Sequence, residues 1–448
     1  MKFLIYGNAP SVNTGYGVQI RHLCKQLLRN GHDVAVACTF GHQVGVRKWP
    51  TEYGEVLLYP SGWLENSLDV LTAHAEHFFE GNPKNGWIIS VTDQWVLNRL
   101  AKDLEQFQVI AWTPVDHFPA PVEVLRFLNM SGSKALAMAK YGQTQLLEAG
   151  VDAALAPLAV DTKAYKPTPG TVINGEFVPA REMLDIPSTA DFVVLMVAMN
   201  KDPLDRKNFD GAFRAFGRFW REHQNAVLYV HSDKYGTAGS FLNLMELAKH
   251  AAIPPHAIKF SSTYSIQIGW SDEMMATMYS AADVLLAPSK GEGFCVPMVE
   301  AQACGTPVIA SDFTAQAELI GPGWGVSGQL VFDQHQNASY LSPSTSEIYT
   351  ALEKAYADKD NPDRSRQAVE FAAQYDVGRV WSEYWEPFLA SLMPSTPAAD
   401  KPLMEKVAVL CPVLNRPDNV RPLVESFLAA NDGTAHLYFI VDLSLIHI

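Results

Sequence analysis

The segment with the strongest signal for a functional site contains two glutamates separated by seven residues. Glu292 lies in a glycine-rich loop after a predicted strand, and Glu300 lies one turn inside a predicted helix that Pro297 opens. A helix N-terminus offers backbone N–H groups and the positive end of the helix dipole, so this loop suits an anion such as a diphosphate. The N–H groups expected to face that anion belong to Gly293, Phe294, Cys295 and Val296.

Two carboxylates beside a bound anion are explained if they accept hydrogen bonds from hydroxyl groups of the same ligand. Glu300 can accept hydrogen bonds from both hydroxyls of a ribose, and Glu292 can accept them from the hydroxyls of a sugar. The alternative is a strand–turn–helix corner with two solvated glutamates. Because glutamates are common at helix starts, the residue types alone leave both interpretations open.

Positive charge follows the strand predicted over residues 192–198. Lys201, Arg206 and Lys207 come directly after it, in a protein that is acidic overall. A bound diphosphate needs cations near it, so these side chains favour phosphate binding over the alternative of a solvated basic loop.

Two segments nearer the N-terminus are further candidates. Gly15 and Gly17 lie at the start of the first predicted helix, where small residues let a ligand approach the backbone; a plain tight turn is the alternative. Asp116 and His117 follow the end of a predicted strand and have aromatic neighbours, a combination that suits sugar recognition. A histidine that merely lies at the surface is the alternative there.

Strands and helices alternate along two stretches of the sequence. Apolar runs predict strands at 3–6, 33–38, 87–91 and 109–112, and, after a proline- and glycine-containing pause to about residue 190, at 192–198, 227–230, 284–288 and 307–310. Alternation of this kind predicts an α/β protein with two tandem Rossmann-like domains. The carboxyl ends of both sheets then face an interdomain cleft, which is where the residues above would meet.

Length, charge and cysteine content limit the possible classes of protein. The 448 residues predict about three domains. Lys and Arg number 34 against 48 Asp and Glu, and this net charge of −14 argues against a nucleic-acid backbone as the main partner. The five cysteines are isolated from one another, which favours reduced thiols in a cytoplasmic protein. No apolar run approaches the length of a membrane span, the N-terminal run is too short for a signal peptide, and no metal-ligand spacing occurs.

The segments around the two glutamates resemble a known family. Residues 291–300, followed by residues 305–309, are similar to the E-x7-E signature of retaining, family-4-type glycosyltransferases of the GT-B fold. Residues 278–289 resemble the helix and strand that lead into this signature. Residues 157–167 resemble the interdomain signature of the family, although Leu158-Ala159 replaces its usual His-Gly. The resemblance extends over residues 1–390.

The resemblance also implies residue roles. Lys207 matches a lysine that contacts the donor phosphates; Lys201 has the spacing of its partner arginine and Arg206 has the side chain, so that position stays open. His117 resembles a histidine near the donor sugar. The expected catalytic residues are therefore Glu292, His117 and Lys207. The expected substrate-binding residues are Glu300, Arg206, Lys201, Gly293, Phe294, Cys295, Val296, Gly15, Gly17 and Asp116, with Asp93 as a weaker acceptor-side candidate.

The implied function is that of a hexosyltransferase-type enzyme. It would move a sugar from a nucleotide-diphosphate sugar to an acceptor hydroxyl with retention of configuration, without a metal or other cofactor. The acceptor stays open among glycan, lipid-linked sugar, protein and nucleobase. One alternative is a sugar phosphorylase or sugar-phosphate synthase on the same fold, and another is a non-catalytic nucleotide-sugar-binding module.

The expected domain boundaries follow. Residues 1–165 form the acceptor-side domain, 166–375 the nucleotide-sugar-binding domain, 376–393 a C-terminal helix and 394–405 a linker. Residues 406–442 resemble the opening of a family-2-type GT-A glycosyltransferase, so we expect the natural chain to continue as a longer, two-glycosyltransferase protein. The last residues, 443–448, are expected to be an assembly artefact.

Overall fold

The computed structural model describes residues 1–202, 204–235, 242–392, 407–413, 425 and 435–441. The chain divides into two compact units, residues 1–387 and 388–448. The first unit contains two sheets with helices packed on them, and these sheets confirm the prediction of two Rossmann-like α/β domains.

The first domain is built on an eight-stranded sheet with the order β3-β4-β2-β1-β5-β6-β7-β8. Its strands are β1 (Lys2–Asn8), β2 (Asp33–Phe40), β3 (Arg47–Thr51), β4 (Gly54–Tyr59), β5 (Gly86–Val91), β6 (Gln108–Thr113), β7 (Lys134–Ala137) and β8 (Ala153–Leu155). All neighbours pair in parallel except β3 with β4. The helices are α1 (Gly15–Arg29), α2 (Leu71–Phe78), α3 (Ala101–Leu104), α4 (Val122–Ser131) and α5 (Lys140–Glu148).

The second domain is built on a parallel sheet with the order β13-β12-β11-β14-β15-β16. The strands from 170 onward are β9 (Gly170–Ile173), β10 (Glu176–Pro179), β11 (Phe192–Val197), β12 (Ala226–His231), β13 (Ile258–Phe260), β14 (Val284–Ala287), β15 (Val308–Ser311), β16 (Trp324–Val326), β17 (Gly328–Asp333) and β18 (Ala338–Pro343). Two antiparallel hairpins, β9–β10 and β17–β18, lie outside that sheet.

The helices of this half of the chain cover its sheet and then continue beyond it. They are α6 (Ala180–Met183), α7 (Phe209–Glu222), α8 (Leu244–His250), α9 (Thr263–Ile268), α10 (Asp272–Ala281), α11 (Val296–Ala303), α12 (Thr314–Leu319), α13 (Thr345–Ala357), α14 (Pro362–Ala372), α15 (Val377–Val380) and α16 (Glu386–Leu392). One wide π turn, Trp381–Trp385, joins α15 to α16.

Helix α7 shows why these segments form as they do. Phe209, Phe213 and Phe216 recur at intervals of four and three residues, and all are fully buried. This spacing makes one apolar face, which packs against the strands of the second sheet. Burying each phenylalanine contributes about 2 kcal/mol. The carboxyl ends of the strands then hold the site loops on a rigid base.

The chain returns to the first domain after the second sheet is complete. The N–H of Val160 donates to the carbonyl of Tyr375 at 2.9 Å, and the N–H of Val377 donates to the carbonyl of Val160 at 3.1 Å. Farther along, the ring of Trp385 packs edge-on against Trp112, with centroids 4.8 Å apart. The two domains are therefore joined at their hinge as well as by the loops at the cleft.

The second unit contains one described strand pair. Strands β19 (Val407–Val413) and β20 (Ala435–Val441) pair in parallel, where the sequence predicts strands at 407–410 and 437–441. The predicted helix at 420–429 lies outside the described residues apart from residue 425, as do the predicted linker and the predicted artefact tail. The resemblance of this segment to a GT-A domain stays a prediction.

A buried amide ties α1 to the segment that links the two domains. The side-chain N–H of Gln19 donates to the carbonyl of Ala159 at 2.8 Å, and the N–H of Ala159 donates to Gln19 Oε1 at 2.9 Å. Both residues are buried. This pair occupies the place where the sequence departs from the family's His-Gly.

Substituting Gln19→Ala should destabilise the protein by about 2 kcal/mol, because it leaves a buried N–H and a buried carbonyl of Ala159 without partners. Urea unfolding measures the change. Gln26→Ala, on the same helix but outside this contact, is the control and should change stability by less than about 0.5 kcal/mol. Equal effects of the two substitutions would contradict the assigned role.

Candidate active site

Two glycines bring the second domain against the first at the cleft. They lie in the loop between β14 and α11. A side chain at Gly291 would collide with the carbonyl oxygen of Asp116, and one at Gly293 would collide with Pro114. The loop that carries Glu292 therefore lies directly against the segment that follows β6.

Glu292 is the centre of an ion-pair cluster. Its Oε1 accepts a hydrogen bond from Lys207 Nζ at 2.5 Å, and its Oε2 accepts one from Arg206 Nη1 at 2.9 Å. Arg206 Nη1 also donates to the carbonyl of Gly291 at 2.8 Å. The N–H of Glu292 donates to Thr314 Oγ1 at 3.1 Å. The predicted residues Glu292, Lys207 and Arg206 are thus in direct contact.

The cations keep Glu292 ionised although it is buried. Burial by itself would raise the pKa of this carboxyl, but Arg206 and Lys207 outweigh burial and lower the pKa to about 2. Arg206 responds in the opposite sense, because Glu292 raises the pKa of the guanidinium. Glu292 therefore stays a carboxylate near neutral pH although it is buried.

Glu300 has a different environment. Its Oε2 accepts a hydrogen bond from Tyr279 Oη at 2.7 Å, and no cation lies among the groups that shift its pKa. Burial raises the pKa of Glu300 to about 7, and the hydrogen bonds from Tyr279 and Tyr165 oppose this rise only in part. The two glutamates of the motif therefore differ sharply in charge near neutral pH.

The backbone between the two glutamates turns sharply into α11. Cys295 precedes the helix with φ 90° and ψ 67°, in the left-handed region, and none of the described side chains caps the helix start. The charges of Glu292, Lys207 and Arg206 all act on the Cys295 thiol, so the cluster and the helix start are neighbours. Burial raises the pKa of that thiol to about 12.

Phe294 and Val296 have side chains that point into the protein. Phe294 is buried, and its ring packs edge-on against Tyr375 with centroids 5.5 Å apart. Val296 is buried as well. Their expected contribution to a ligand site therefore rests on their backbone N–H groups, while their side chains fix the loop.

His117 and Asp116 form the facing wall. His117 Nδ1 lies 2.7 Å from Asp116 Oδ1, and His117 Nε2 lies 3.6 Å from Oδ2 of Asp333. Burial would lower the pKa of His117, but the contacts with these carboxylates outweigh burial and raise the pKa. Burial would raise the pKa of Asp116, but the hydrogen bond and charge of His117, together with the charge of Arg206, outweigh burial and lower the pKa.

The remaining predicted residues lie at varied distances from this cluster. Lys201 is exposed, and its charge acts on Asp93. Gly15 is exposed at the first position of α1. Gly17 is buried, and its N–H donates to Thr14 Oγ1 at 3.1 Å, so it completes the cap of α1. A side chain at Gly17 would collide with Val12, which explains the glycine by packing.

The charges of the cleft also act on Tyr16, which the sequence did not single out, and on Asp93, the weaker acceptor-side candidate. Tyr16, which lies between the two glycines, has its pKa raised by burial first and then by Asp93 and Asp116. Asp93 lies close enough to Asp116 that burial and this second carboxylate raise its pKa to about 6. The sequence offered a signal only for Asp93, at the end of β5.

A cavity of about 310 Å³ opens between the two walls. Asp93, Asp116 and His117 line it from the first domain, and Arg206 and Gly291 line it from the second. The hairpin β17–β18 contributes Asp333, His335, Gln336 and Tyr340, which the sequence analysis did not single out. The candidate site is therefore an interdomain cleft with the ion-pair cluster on one side.

Part of the chain matches a known family. Residues 191–351 match the family model described as "Glycosyl transferases group 1". Over 121 residues the chain is 35% identical to a D-inositol 3-phosphate glycosyltransferase of Mycolicibacterium smegmatis, covering 27% of this chain and 24% of that protein. Over 198 residues it is 27% identical to the serotype-specific mannosyltransferase WbdA of Escherichia coli, covering 40% and 23%. The matches thus span about a quarter of the length of these two relatives.

Solved structures match most of the chain. Sucrose-phosphate synthase from Thermosynechococcus elongatus aligns with a TM-score of 0.61 at 18% identity, covering 87% of this chain and 96% of that one. HepE of Anabaena, solved in complex with UDP and glucose, aligns with a TM-score of 0.60 at 14% identity, covering 87% and 100%. The chain therefore has the GT-B fold, and its residues 191–351 are similar to group 1 glycosyl transferases.

The described residues contain neither a membrane-spanning helix nor a metal-binding group of side chains. None of the described helices has the length and apolar character needed to cross a membrane. Within the same residues, no group of three or more His, Cys, Asp or Glu side chains is arranged to hold a metal ion.

Glu292→Gln should destabilise the protein by about 2 kcal/mol near pH 7, because it leaves two partly buried cations without their carboxylate. The low pKa of Glu292 stabilises the fold above about pH 4.5, and this contribution is lost as the pH falls toward 2. The difference between wild type and variant in urea unfolding should therefore shrink below pH 4.5.

Glu383→Gln is the matched control for this measurement. Glu383 accepts a hydrogen bond from Arg379 at 2.7 Å, but both side chains are about half exposed. Its substitution should change stability by less than about 0.5 kcal/mol. A Glu292→Gln effect as small as this, or one that grows at low pH, would rule out the buried ion pair as described.

Proposed function

We propose that this protein is a glycosyltransferase that moves a sugar from a nucleotide-diphosphate sugar to an acceptor hydroxyl, with retention of configuration. One observation carries the proposal. Lys207 and Arg206 are fixed by the buried Glu292 beside the N-terminus of α11, in a cleft whose other wall holds His117. The match of residues 191–351 to group 1 glycosyl transferases supports it.

The cluster suits a leaving diphosphate. Lys207 has three N–H donors, of which Glu292 takes one, so the ammonium can also bond to phosphate oxygens. The start of α11 adds backbone N–H groups and the positive end of the helix dipole. Positive charge held in place before the reaction stabilises the negative charge that develops on the diphosphate as it leaves.

The transfer needs only the donor and the acceptor as reactants. The acceptor oxygen forms a bond to the anomeric carbon, and the bond from that carbon to the diphosphate oxygen breaks. The diphosphate leaves with the bonding electron pair, and the acceptor proton passes to one of its oxygens. Acceptor and leaving group lie on the same face of the sugar, which retains the configuration. His117, held between Asp116 and Asp333, is placed to bond with sugar hydroxyls.

Glu300 has the role of a ribose-binding residue in this proposal. It is anchored by Tyr279 one helical turn beyond the cation cluster. A carboxylate accepts hydrogen bonds from two adjacent hydroxyls, so it would hold the ribose while the start of α11 holds the phosphates.

Three further proposals concern the chain as a whole. We propose membership of the family-4-type group, on the motif from Glu292 to Glu300. We propose a cytoplasmic location, which the free thiols of the described cysteines Cys24, Cys38, Cys295 and Cys304 support. We also propose that residues 406–442 open a GT-A-like domain, which the parallel pairing of β19 with β20 supports.

A thermal-shift panel of UDP, GDP and ADP on the full chain tests the function. A ligand at 100 times its Kd stabilises the folded state by about 2.7 kcal/mol, so one diphosphate should raise the Tm by several degrees. Glu300→Gln should weaken this shift, whereas Glu370→Gln, an exposed glutamate on α14, should leave it intact. Absence of a shift with all three nucleotides would refute the proposal.

Transfer should persist in EDTA, because Lys207, Arg206 and the start of α11 supply the positive charge that a metal ion would otherwise supply. Release of nucleoside diphosphate from the donor that the panel identifies is the measurement, with and without the chelator. A Lys207→Ala variant should lose activity about 100-fold or more under both conditions. Loss of wild-type activity in EDTA, restored by a divalent metal, would contradict the metal-free mechanism.

A further inference from the structure

The hairpin β17–β18 crosses from the second domain to the first. The N–H of Phe118 donates to the carbonyl of Ser339 at 2.9 Å, and the N–H of Ser339 donates to the carbonyl of Phe118 at 2.7 Å. At its base the N–H of Leu341 donates to the carbonyl of Lys290 at 2.8 Å. Backbone bonds therefore fix the hairpin to both walls of the cleft.

This attachment places a carboxylate against His117. Asp333 Oδ2 lies 3.6 Å from His117 Nε2, while Asp333 Oδ1 accepts the N–H of His335 at 2.8 Å. The side chain of Asp333 is only 15% exposed. The ring of Tyr340 lies edge-on to His117, with centroids 6.4 Å apart. The hairpin thus supplies a polar and an aromatic group to the cavity beside His117.

The cavity that the hairpin closes has an acidic lining. Four carboxylates line it, those of Asp93, Asp116, Asp202 and Asp333. Two cations line the cavity as well: Lys290, whose Nζ donates to the carbonyl of Leu204 at 2.6 Å, and Arg206, whose charge is shared with Glu292. Among the described lining residues the carboxylates outnumber the Lys and Arg side chains, so a phosphate group placed here would face more negative than positive charge.

The same lining suits neutral hydroxyl groups. Carboxylates accept hydrogen bonds from hydroxyls, and each has two oxygens with which to do so. Trp95 lines the cavity with 45% of its surface exposed, so this aromatic side chain is accessible to a ligand. A concave site with one open aromatic face and several convergent acceptors fits a sugar.

We propose that the hairpin β17–β18 completes the acceptor site, and that this site takes an uncharged carbohydrate and disfavours a phosphorylated one. Asp333 and Trp95 are its specificity-determining residues. The inference rests on the proposed function, which supplies the donor on the other side of Glu292. The acceptor, as the second substrate, would then be an uncharged carbohydrate.

Saturation-transfer NMR on the full chain tests this proposal. The probes are methyl α-D-glucopyranoside and methyl α-D-mannopyranoside, compared with glucose 6-phosphate and mannose 6-phosphate, each in the presence of the nucleoside diphosphate that stabilises the protein. We expect the methyl hexosides to bind at least tenfold more tightly than the 6-phosphates. Failure of both hexosides to bind, or tighter binding of a 6-phosphate, overturns the proposal.

Substitutions of the two specificity-determining residues test whether the hexosides bind in this cavity. Asp333→Asn and Trp95→Ala should each weaken hexoside binding at least fivefold and leave the affinity for the nucleoside diphosphate unchanged. Trp95 is half exposed, so its substitution tests the site even where loss of Asp333 disturbs the hairpin. Asp360→Asn, an exposed carboxylate outside the cavity lining, is the matched control and should change neither affinity. Full hexoside binding by both Asp333→Asn and Trp95→Ala overturns the proposal.

Binding of the nucleoside diphosphate distinguishes failure of the acceptor assignment from failure of the proposed function. Diphosphate binding without hexoside binding overturns the acceptor assignment and leaves the proposed function standing. Loss of diphosphate binding in the wild type overturns the proposed function, and the acceptor assignment falls with it.

Discussion

The buried contact of Glu292 with Arg206 and Lys207 is the interaction on which the cleft depends. An ionised carboxylate inside a protein is costly unless it is paired, and here two cations from the loop before α7 pair with it. The same contact fixes the loop before α11, because Arg206 also bonds to the Gly291 carbonyl. One electrostatic cluster therefore positions the helix start, the cations and the loop that lies against the first domain.

The two glutamates show how burial divides similar residues into different roles. Glu292 and Glu300 are both buried, yet cations keep the first ionised while tyrosines leave the second with a pKa near neutrality. Spacing in the sequence predicts that both face one ligand. The charge of Glu292 depends on Lys207 and Arg206, 85 and 86 positions earlier. The pKa of Glu300 depends on its burial and on Tyr279 and Tyr165, so no local pattern reveals either charge state.

Much of the fold was predictable because its strands are short, apolar and regularly alternated with helices. The strand predicted at 192–198 is β11, and the helix predicted from Pro297 is α11, which begins one residue earlier. The hairpins were missed for different reasons. The turn of β9–β10 contains Asn174-Gly175, a usable hairpin signal that the proline-containing surroundings obscured. The turn of β17–β18 offers no such dipeptide.

The site was predictable where a loop directly follows a strand of the sheet. Glu292, His117 and Lys207 follow this rule, and the structure brings them to one cleft. Asp333 and Tyr340 lie on a hairpin outside the sheet, more than 200 residues from His117, so strand-end reasoning could not place them. Gly17 also has a packing explanation, since a side chain there would collide with Val12, and its contact with a ligand stays a prediction.

The bridge between Phe118 and Ser339 is made by backbone atoms alone. Substitution by any residue except proline, which has no backbone N–H, keeps the donors and acceptors, so most changes of amino-acid identity leave the bridge intact. A change in the length of the hairpin is different, because it shifts which residue reaches Phe118. Insertions and deletions between residues 328 and 343, rather than point substitutions, are therefore the events by which related chains would loosen or retune the closure of their two domains.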